Sequence, residues 1–218
     1  MLLHPNWERV ADALRRQGVA VDAHALAAAE PHAKRELDTP EQVRASSDAS
    51  RAWLYFELVL SHASVTLSER TSAALTELCR YHEQWNLWES VAPDAGAALA
   101  RLRTAGLKLV VVSNANGTLG AHMERLGLAS RFDLVLDSYD EGVEKPDPRF
   151  FRIALDRSDS QPETTLHAGD LYEVDVVGAR AAGLRAVLLD AAGLYAGCDC
   201  PRVPSLDALT QALVDGGL

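Results

Sequence analysis

Four short apolar runs constrain this chain more than any other feature. They are Leu107–Ser113 (LKLVVVS), Phe132–Asp137 (FDLVLD), Thr165–Asp170 (TLHAGD) and Ala186–Asp190 (AVLLD). Between them lie helix-patterned stretches: Thr118–Leu126 with Gly127 after it, Asp147–Asp156 with Pro148 suited to the first turn, and Val174–Ala182 ended by Gly183. Short strands with little polar alternation are buried on both faces. Strand and helix in strict alternation require crossover connections. Together they predict an α/β fold with a doubly wound parallel sheet.

Residues 7–90 have a different texture. Trp7, Val10, Ala11 and Leu14 recur at helical spacing before Gly18. Ala25–Arg35 is alanine-rich, Arg51–Leu60 (RAWLYFELVL) is densely apolar, and Ser68–Trp88 carries Leu75, Leu78 and Tyr81 near one stripe. This stretch reads as an all-helical unit, 7–90, inserted into an α/β core made of 1–6 and 91–218. The chain has 218 residues, 48% of them hydrophobic, which is ample for a buried core. Its net charge of −10 argues against a general nucleic-acid binder, because phosphate backbones need excess Lys and Arg. No apolar run approaches the ~20 residues that span a bilayer, and the first residues, MLLHPN, lack a signal-peptide pattern. Cys79, Cys198 and Cys200 give no disulfide framework, and Cys198-Asp199-Cys200 has no metal partners at suitable spacing nearby. A reducing, cytoplasmic setting is the expectation.

In a doubly wound sheet, ligands bind beyond the carboxyl ends of the strands. The first run ends in Ser113-Asn114-Ala115-Asn116-Gly117. Glu144-Lys145-Pro146-Asp147-Pro148 follows the second. The third ends in Gly169-Asp170, with Asp175 beyond it. A hydroxyl, an ammonium and two carboxylates therefore converge on one rim. Ser113 Oγ and the N–H groups of its turn suit phosphate oxygens. Lys145 suits a phosphate or a carboxylate. Asp170 and Asp175 are hard oxygen donors of the kind Mg²⁺ takes, and their mutual repulsion calls for a cation between them. Each piece also has a structural reading: Ser-Asn as turn chemistry, Lys-Pro-Asp-Pro as a helix start, Asp175 as an N-cap. His167 reads as a half-buried strand residue.

The ordered set VVSNANG (111–117), VEKPDPRFF (143–151) and HAGDLYEVDVVGARAAG (167–183), with the helical segment ahead of it, resembles the haloacid dehalogenase (HAD) superfamily over essentially the whole chain. The resemblance implies a Rossmann-like core with a helical cap and a Mg²⁺-dependent phosphohydrolase working through an aspartyl-phosphate. It makes Ser113 and Asn114 phosphate-binding, Lys145 the neutralising cation, Asp170 the direct Mg²⁺ ligand, and Asp175 a support through water or Lys145. The family's nucleophile is the first Asp of an N-terminal D-x-D motif, and the second Asp is its acid/base. No such pair precedes Leu2-Leu3. A central strand and its turn, on the order of a dozen residues, are therefore expected to be missing, and an extended native product is the expected explanation. Without that strand, the strands ending at Ser113 and Asp170 face an empty slot, pair directly, or receive another segment. The chain as given is expected to be inactive.

A small phosphorylated substrate is the implied partner, with nucleic acid and membrane excluded; the oligomeric state is silent. Two other readings stand beside the phosphatase. One is a non-catalytic HAD-like binding protein. The other is a metal-independent 2-haloacid dehalogenase, against which Gly169-Asp170 speaks. Trp53, Tyr55, Trp85, Trp88, Arg51 and His62 are candidate substrate contacts from the cap.

Overall fold

The computed structural model describes residues 1–216, apart from the side chains of Asp48 and Ala49. The chain forms two compact units: Pro5–Ser90, and Met1–His4 with Val91–Leu218. In chain order the elements begin with β1 (Leu3–His4), followed by α1 (Trp7–Arg16), α2 (Ala23–Leu37), α3 (Pro40–Ala45), α4 (Asp48–His62) and α5 (Glu69–Trp85). Then come β2 (Ser90–Val91), which pairs with β1, α6 (Ala95–Thr104), β3 (Val110–Ser113), α7 (Leu119–Arg125), β4 (Leu134–Asp137), α8 (Ser138–Glu141) and α9 (Pro148–Ser158). The last are β5 (Leu166–Gly169), a π-turn (Tyr172–Val176) running into α10 (Val177–Ala181), β6 (Arg185–Leu189), β7 (Arg202–Val203) and α11 (Leu206–Val214).

The helical unit is built on its caps and one aromatic core. Asn6 Oδ1 accepts from the Arg9 N–H at the start of α1, and Ser68 and Thr71 form a reciprocal capping box on α5. Asn86, at φ 63°, ends α5 in a left-handed turn. The stripe Trp7, Val10, Ala11 and Leu14 is buried as its spacing requires, in one core with Tyr55, Phe56, Val59 and Leu60 of α4, and the Trp7 ring lies 6.4 Å from Tyr55 and 6.3 Å from Phe56. Tyr55 stacks on Trp88 at 5.9 Å, so both rings belong to this core. Arg51 is buried and donates to the Ser46 carbonyl, which ties α4 to the loop ahead of it. Trp53 Nε1 donates to Glu57, His62 lies 3.0 Å from Glu36, and Trp85 is exposed. One boundary differs from the pattern reading: α5 stops at Trp85 rather than Trp88. Helix α2 runs through Pro31.

The other unit is the parallel α/β fold. Strand β3 pairs in parallel with β4, Val110 opposite Leu134, and β5 pairs in parallel with β6, Leu166 opposite Arg185. No backbone ladder joins β3 to β5 among the described residues, so the sheet is in two parts. The observed strands are shorter than the apolar runs, because Leu107–Leu109 and Phe132–Asp133 lead in outside the ladder. The π-turn replaces the first turn expected for the helix at Val174. Helices α6 and α11 and the short strands β1, β2 and β7 lie outside the runs read above, although Ala95, Ala98, Leu99 and Leu102 of α6 are buried at helical spacing.

Helix α9 underlies both sheet parts. Phe150 and Ala154 pack with Leu136, Val110 and Val112, whereas Phe151 and Leu155 pack with Ala186 and Leu188. On the other face, Leu119 and Met123 of α7 pack with Val111 and Val135. Phe150 is fully buried. Phe150→Ala should therefore destabilise the protein by about 3–5 kcal/mol, read as a lower urea midpoint at unchanged slope.

Candidate active site

The rim at the carboxyl ends of β3, β4 and β5 is assembled by three side-chain clamps. The first is Asn114, just past β3. Its Oδ1 accepts from the Lys145 N–H at 2.7 Å, and its Nδ2 donates to the Lys145 carbonyl at 3.0 Å. Both polar atoms of the amide are thus engaged with the backbone of Lys145. The side chain positions that loop.

The second clamp is Asp137, at the end of β4. It is buried, and its Oδ2 accepts from the Gly117 N–H at 2.9 Å and the Leu119 N–H at 3.2 Å. Ser138 Oγ accepts from the Ala115 N–H at 3.0 Å. The N–H groups of Ala115, Gly117 and Leu119 therefore shape the turn after Ser113 internally. This corrects the expectation that the turn's N–H groups serve phosphate oxygens: the three named here already have acceptors. Ser113 Oγ makes only a long contact with the Asn114 carbonyl, 3.3 Å. Asp137 and Ser138 were overlooked in the sequence. The signal was an acid at the last position of a strand, which is where the rim lies.

The third clamp is Asp175, whose side chain is 4% exposed. Its Oδ1 accepts from Lys145 Nζ at 2.8 Å and faces His167 Nε2 at 3.2 Å. Its Oδ2 accepts from the N–H groups of Asp170 and Leu171, both at 3.0 Å. Burial alone would raise the Asp175 carboxyl, but the Lys145 ammonium and the His167 hydrogen bond outweigh it and hold the group well below the usual carboxylate range. Burial pushes His167 below the usual imidazole value, against the pull of Asp175. Because a carboxylate only accepts, Nε2 is the donor of this contact. The Phe151 ring meets His167 edge to face at 4.9 Å.

Two glycines make this geometry possible. A Cβ at Gly169 would sit 2.1 Å from Asp175 Cγ, and one at Gly178 would sit 2.8 Å from the Pro146 carbonyl. The backbone of β5 thus closes on the carboxylate, and α10 closes on the lysine loop. The structure brings Lys145, Asp170 and Asp175 together and joins Ser113 to them through Asn114. What results is a shielded cation at a strand-end rim, with the backbone of Asp170 held on the same carboxylate. The Asp170 side chain is a donor of the kind Mg²⁺ takes, one carboxylate with waters and a substrate phosphate filling the remaining positions. Asp175, already holding four donors, fits as a support. Among the described residues no group of three or more His, Cys, Asp or Glu forms a metal cluster.

Lys145→Ala leaves a buried carboxylate without its cation and should destabilise the protein by about 3–5 kcal/mol. The double variant Lys145→Met with Asp175→Asn should recover much of that in urea unfolding. The folded-state values of Asp175 and His167 both lie below their ordinary values of 3.8 and 6.5, so the unfolded chain binds more protons. Stability should therefore be full above about pH 6.5, fall first as His167 protonates, and fall again below about pH 4 as Asp175 does. In Asp175→Asn the second fall should lose this contribution. Gly169→Ala should displace the Asp175 carboxylate and abolish the chemical-shift signature of its bonded Asp170 and Leu171 amides.

A family model described as haloacid dehalogenase-like hydrolase matches residues 2–183. The bovine protein named haloacid dehalogenase-like hydrolase domain-containing protein 3 is 33% identical over 193 residues, 86% of this chain and 76% of its own. A ribulose-1,5-bisphosphate 5-phosphatase from Halopiger xanaduensis is 37% identical over 63% of this chain and 57% of its own. A phosphoserine phosphatase from Thermus thermophilus is 46% identical over 45% of this chain and 40% of its own. Among solved structures, a HAD-hydrolase from Bacillus subtilis shares the fold at TM-score 0.68 and 17% identity, over 96% of this chain and 93% of that one. A structure titled as a dehalogenase aligns at TM-score 0.61 and 26% identity, over 95% of this chain and 90% of that one. With the rim's serine, lysine and aspartates in place on a parallel α/β core, the chain belongs to the haloacid dehalogenase-like hydrolase family.

Proposed function

We propose that this chain carries the phosphate- and metal-binding residues of a Mg²⁺-dependent phosphohydrolase acting on a small phosphorylated metabolite. The observation that supports it most is the Lys145–Asp175 pair, held by Asn114 on one side and by the β5 turn on the other. Such a pair fixes one positive charge where a phosphate would lie beyond the strand ends, in a site where that charge is worth more than in water. Relatives named as phosphatases of small phosphates point to the same substrate class.

Each residue then has a task. Ser113 Oγ donates to a phosphate oxygen. Lys145 Nζ, ion-paired with Asp175, offsets negative charge on the phosphoryl group. Asp170 would hold Mg²⁺, which when bound supplies Lewis-acid charge neutralisation at the phosphoryl oxygens. Asp175 orients Lys145 and fixes the Asp170 backbone through its N–H. The cap of residues 7–90 would set substrate choice. The three free cysteines suit a reducing cytoplasm.

A second reading, a metal-independent 2-haloacid dehalogenase, is favoured only by the likeness to a structure titled as a dehalogenase. One experiment separates them. The protein isolated from its own cells is assayed with phosphate monoesters and with 2-chloropropionate, with Mg²⁺ or with EDTA. Phosphate release that requires Mg²⁺ is expected, with Asp175→Asn losing about 10–100-fold and Asp170→Asn losing more. Chloride release in EDTA, or full phosphatase activity in Asp170→Asn, would overturn the proposal.

A further inference from the structure

Two thiols, Cys198 and Cys200, lie in the loop between β6 and β7 and take no part in the rim chemistry. The loop leaves the carboxyl end of β6, on the same side of the sheet as the end of β5. Asp190 fixes it from within. Its Oδ1 accepts from the Leu194 N–H at 2.9 Å, and its Oδ2 accepts from the Tyr195 N–H at 3.2 Å and from Arg202 Nη1 at 2.9 Å. Tyr195 and Cys200 are buried in the core that holds Ala186 and Leu188, and Cys198 packs against the same core. Between the two cysteines, the Asp199 side chain is 71% exposed. Neighbouring side chains that alternate in direction put positions i and i+2 on one face. Cys198 and Cys200 therefore point inward together, and Asp199 points out.

Asp199 is in turn tied to the turn beyond β5. Its carboxylate accepts from Tyr172 Oη at 2.6 Å and from Arg180 Nη1 of α10 at 2.8 Å, and its carbonyl accepts from Arg180 Nη2 at 2.8 Å. Tyr172 opens the π-turn that contains Asp175, and it follows Asp170 and Leu171, whose N–H groups bond the Asp175 carboxylate. The residue between the two thiols thus holds the first residue of the turn on which the Asp175 clamp is built. The spacing of the thiols also suits a bond between them. Two residues of extended chain span about 7 Å. The backbone bends at Asp199 and Cys200, which shortens that span toward the roughly 4.4–6.8 Å between the Cα atoms of a disulfide.

We propose that Cys198 and Cys200 are an oxidative modification site, converted by a peroxide to a disulfide within the loop, and that this bond draws Asp199 off Tyr172 and Arg180 and loosens the turn carrying Asp170 and Asp175. Cys198 is half-buried, whereas Cys200 is buried and its thiol is pushed up by that burial and by the Cys198 charge, so Cys198 reacts first. Its sulfur takes one peroxide oxygen as the O–O bond breaks, giving a sulfenic acid, and the other oxygen leaves as water. The Cys200 sulfur then forms the S–S bond as the S–O bond breaks, and a second water leaves. Two electrons and two protons pass from the thiols to the peroxide, and a dithiol reductant reverses the change. A disulfide fixes both the S–S distance and the torsion about it, so the Asp199 backbone between the two cysteines must turn. The inference rests on the contacts of the loop and not on the phosphatase reading, and its test reads no activity.

The test treats the reduced full chain with hydrogen peroxide and follows it by thiol alkylation with peptide mapping and by amide nuclear magnetic resonance. Two of the three thiols should be lost, both in one peptide that holds Cys198 and Cys200 and lacks two hydrogens, while Cys79 is alkylated as before. The amide signals of Asp170, Leu171 and Tyr172 should move with the oxidised fraction and return with dithiothreitol. Cys198→Ser and Cys200→Ser should each form no disulfide under the same treatment and keep those amides in place. Tyr172→Phe, still reduced, should show the Asp170 and Leu171 amides already displaced toward their oxidised positions. A disulfide that leaves these amides unmoved would overturn the link to the turn. Thiols that resist peroxide, that oxidise separately to sulfinic acids, or that bridge to Cys79 or to a second chain would overturn the site. So would a general loss of signal dispersion on oxidation, because the change proposed is local.

Discussion

The Asp175 carboxylate is the contact on which the rest of the site depends. It is almost wholly buried, and a buried carboxylate persists only when its lone pairs are filled. Four donors fill them, from three parts of the chain: Lys145 after β4, His167 within β5, and the N–H groups of Asp170 and Leu171 in the turn beyond it. Satisfying one charge thus fixes a loop, a strand residue and a turn at once. It also presets the backbone of Asp170 without using the Asp170 carboxylate.

The same economy explains why the site lies at the strand ends. Strands β3, β4 and β5 are short, so the residues just past them meet at one rim. The side chains there do not all face a ligand. Asn114 and Asp137 engage backbone, and this internal bonding positions Ser113 and Lys145. The division of the sheet sits directly beneath this arrangement. The clamps bridge it at the rim and α9 bridges it below, which is how two half-sheets keep one direction without a ladder between them.

Much of this was legible in the sequence, and the limits have physical causes. Strands β3 to β6 and helices α7 and α9 follow from apolar runs and caps that agree locally with the fold. Ser113, Asn114, Lys145, Asp170 and Asp175 follow from their places at strand ends. The direction in which a side chain bonds was not legible. Asn114 reads the same whether it meets a phosphate or the backbone of Lys145. Asp137 reads only as the last residue of a strand, yet it caps α8 through the Tyr139 N–H while its second oxygen serves residues some twenty positions earlier. Helix α2 continues through Pro31, where tertiary burial of Leu26, Ala29, Ala33 and Leu37 outweighs one lost bond. The strands of two residues are set by chain crossing and carry no period at all.

The chain is therefore a member of a hydrolase family whose rim is built around one saturated carboxylate and one shielded lysine. The most direct measurement of that account is a nuclear magnetic resonance titration of the protein with inorganic phosphate in the presence of Mg²⁺, following the Lys145 ammonium and the backbone amides. The account predicts that Lys145, Ser113, Asn114 and Asp170 shift together along one saturation curve, and that the curve is lost in Asp170→Asn. Shifts confined to other residues, or no shift at Lys145 with phosphate bound, would contradict it.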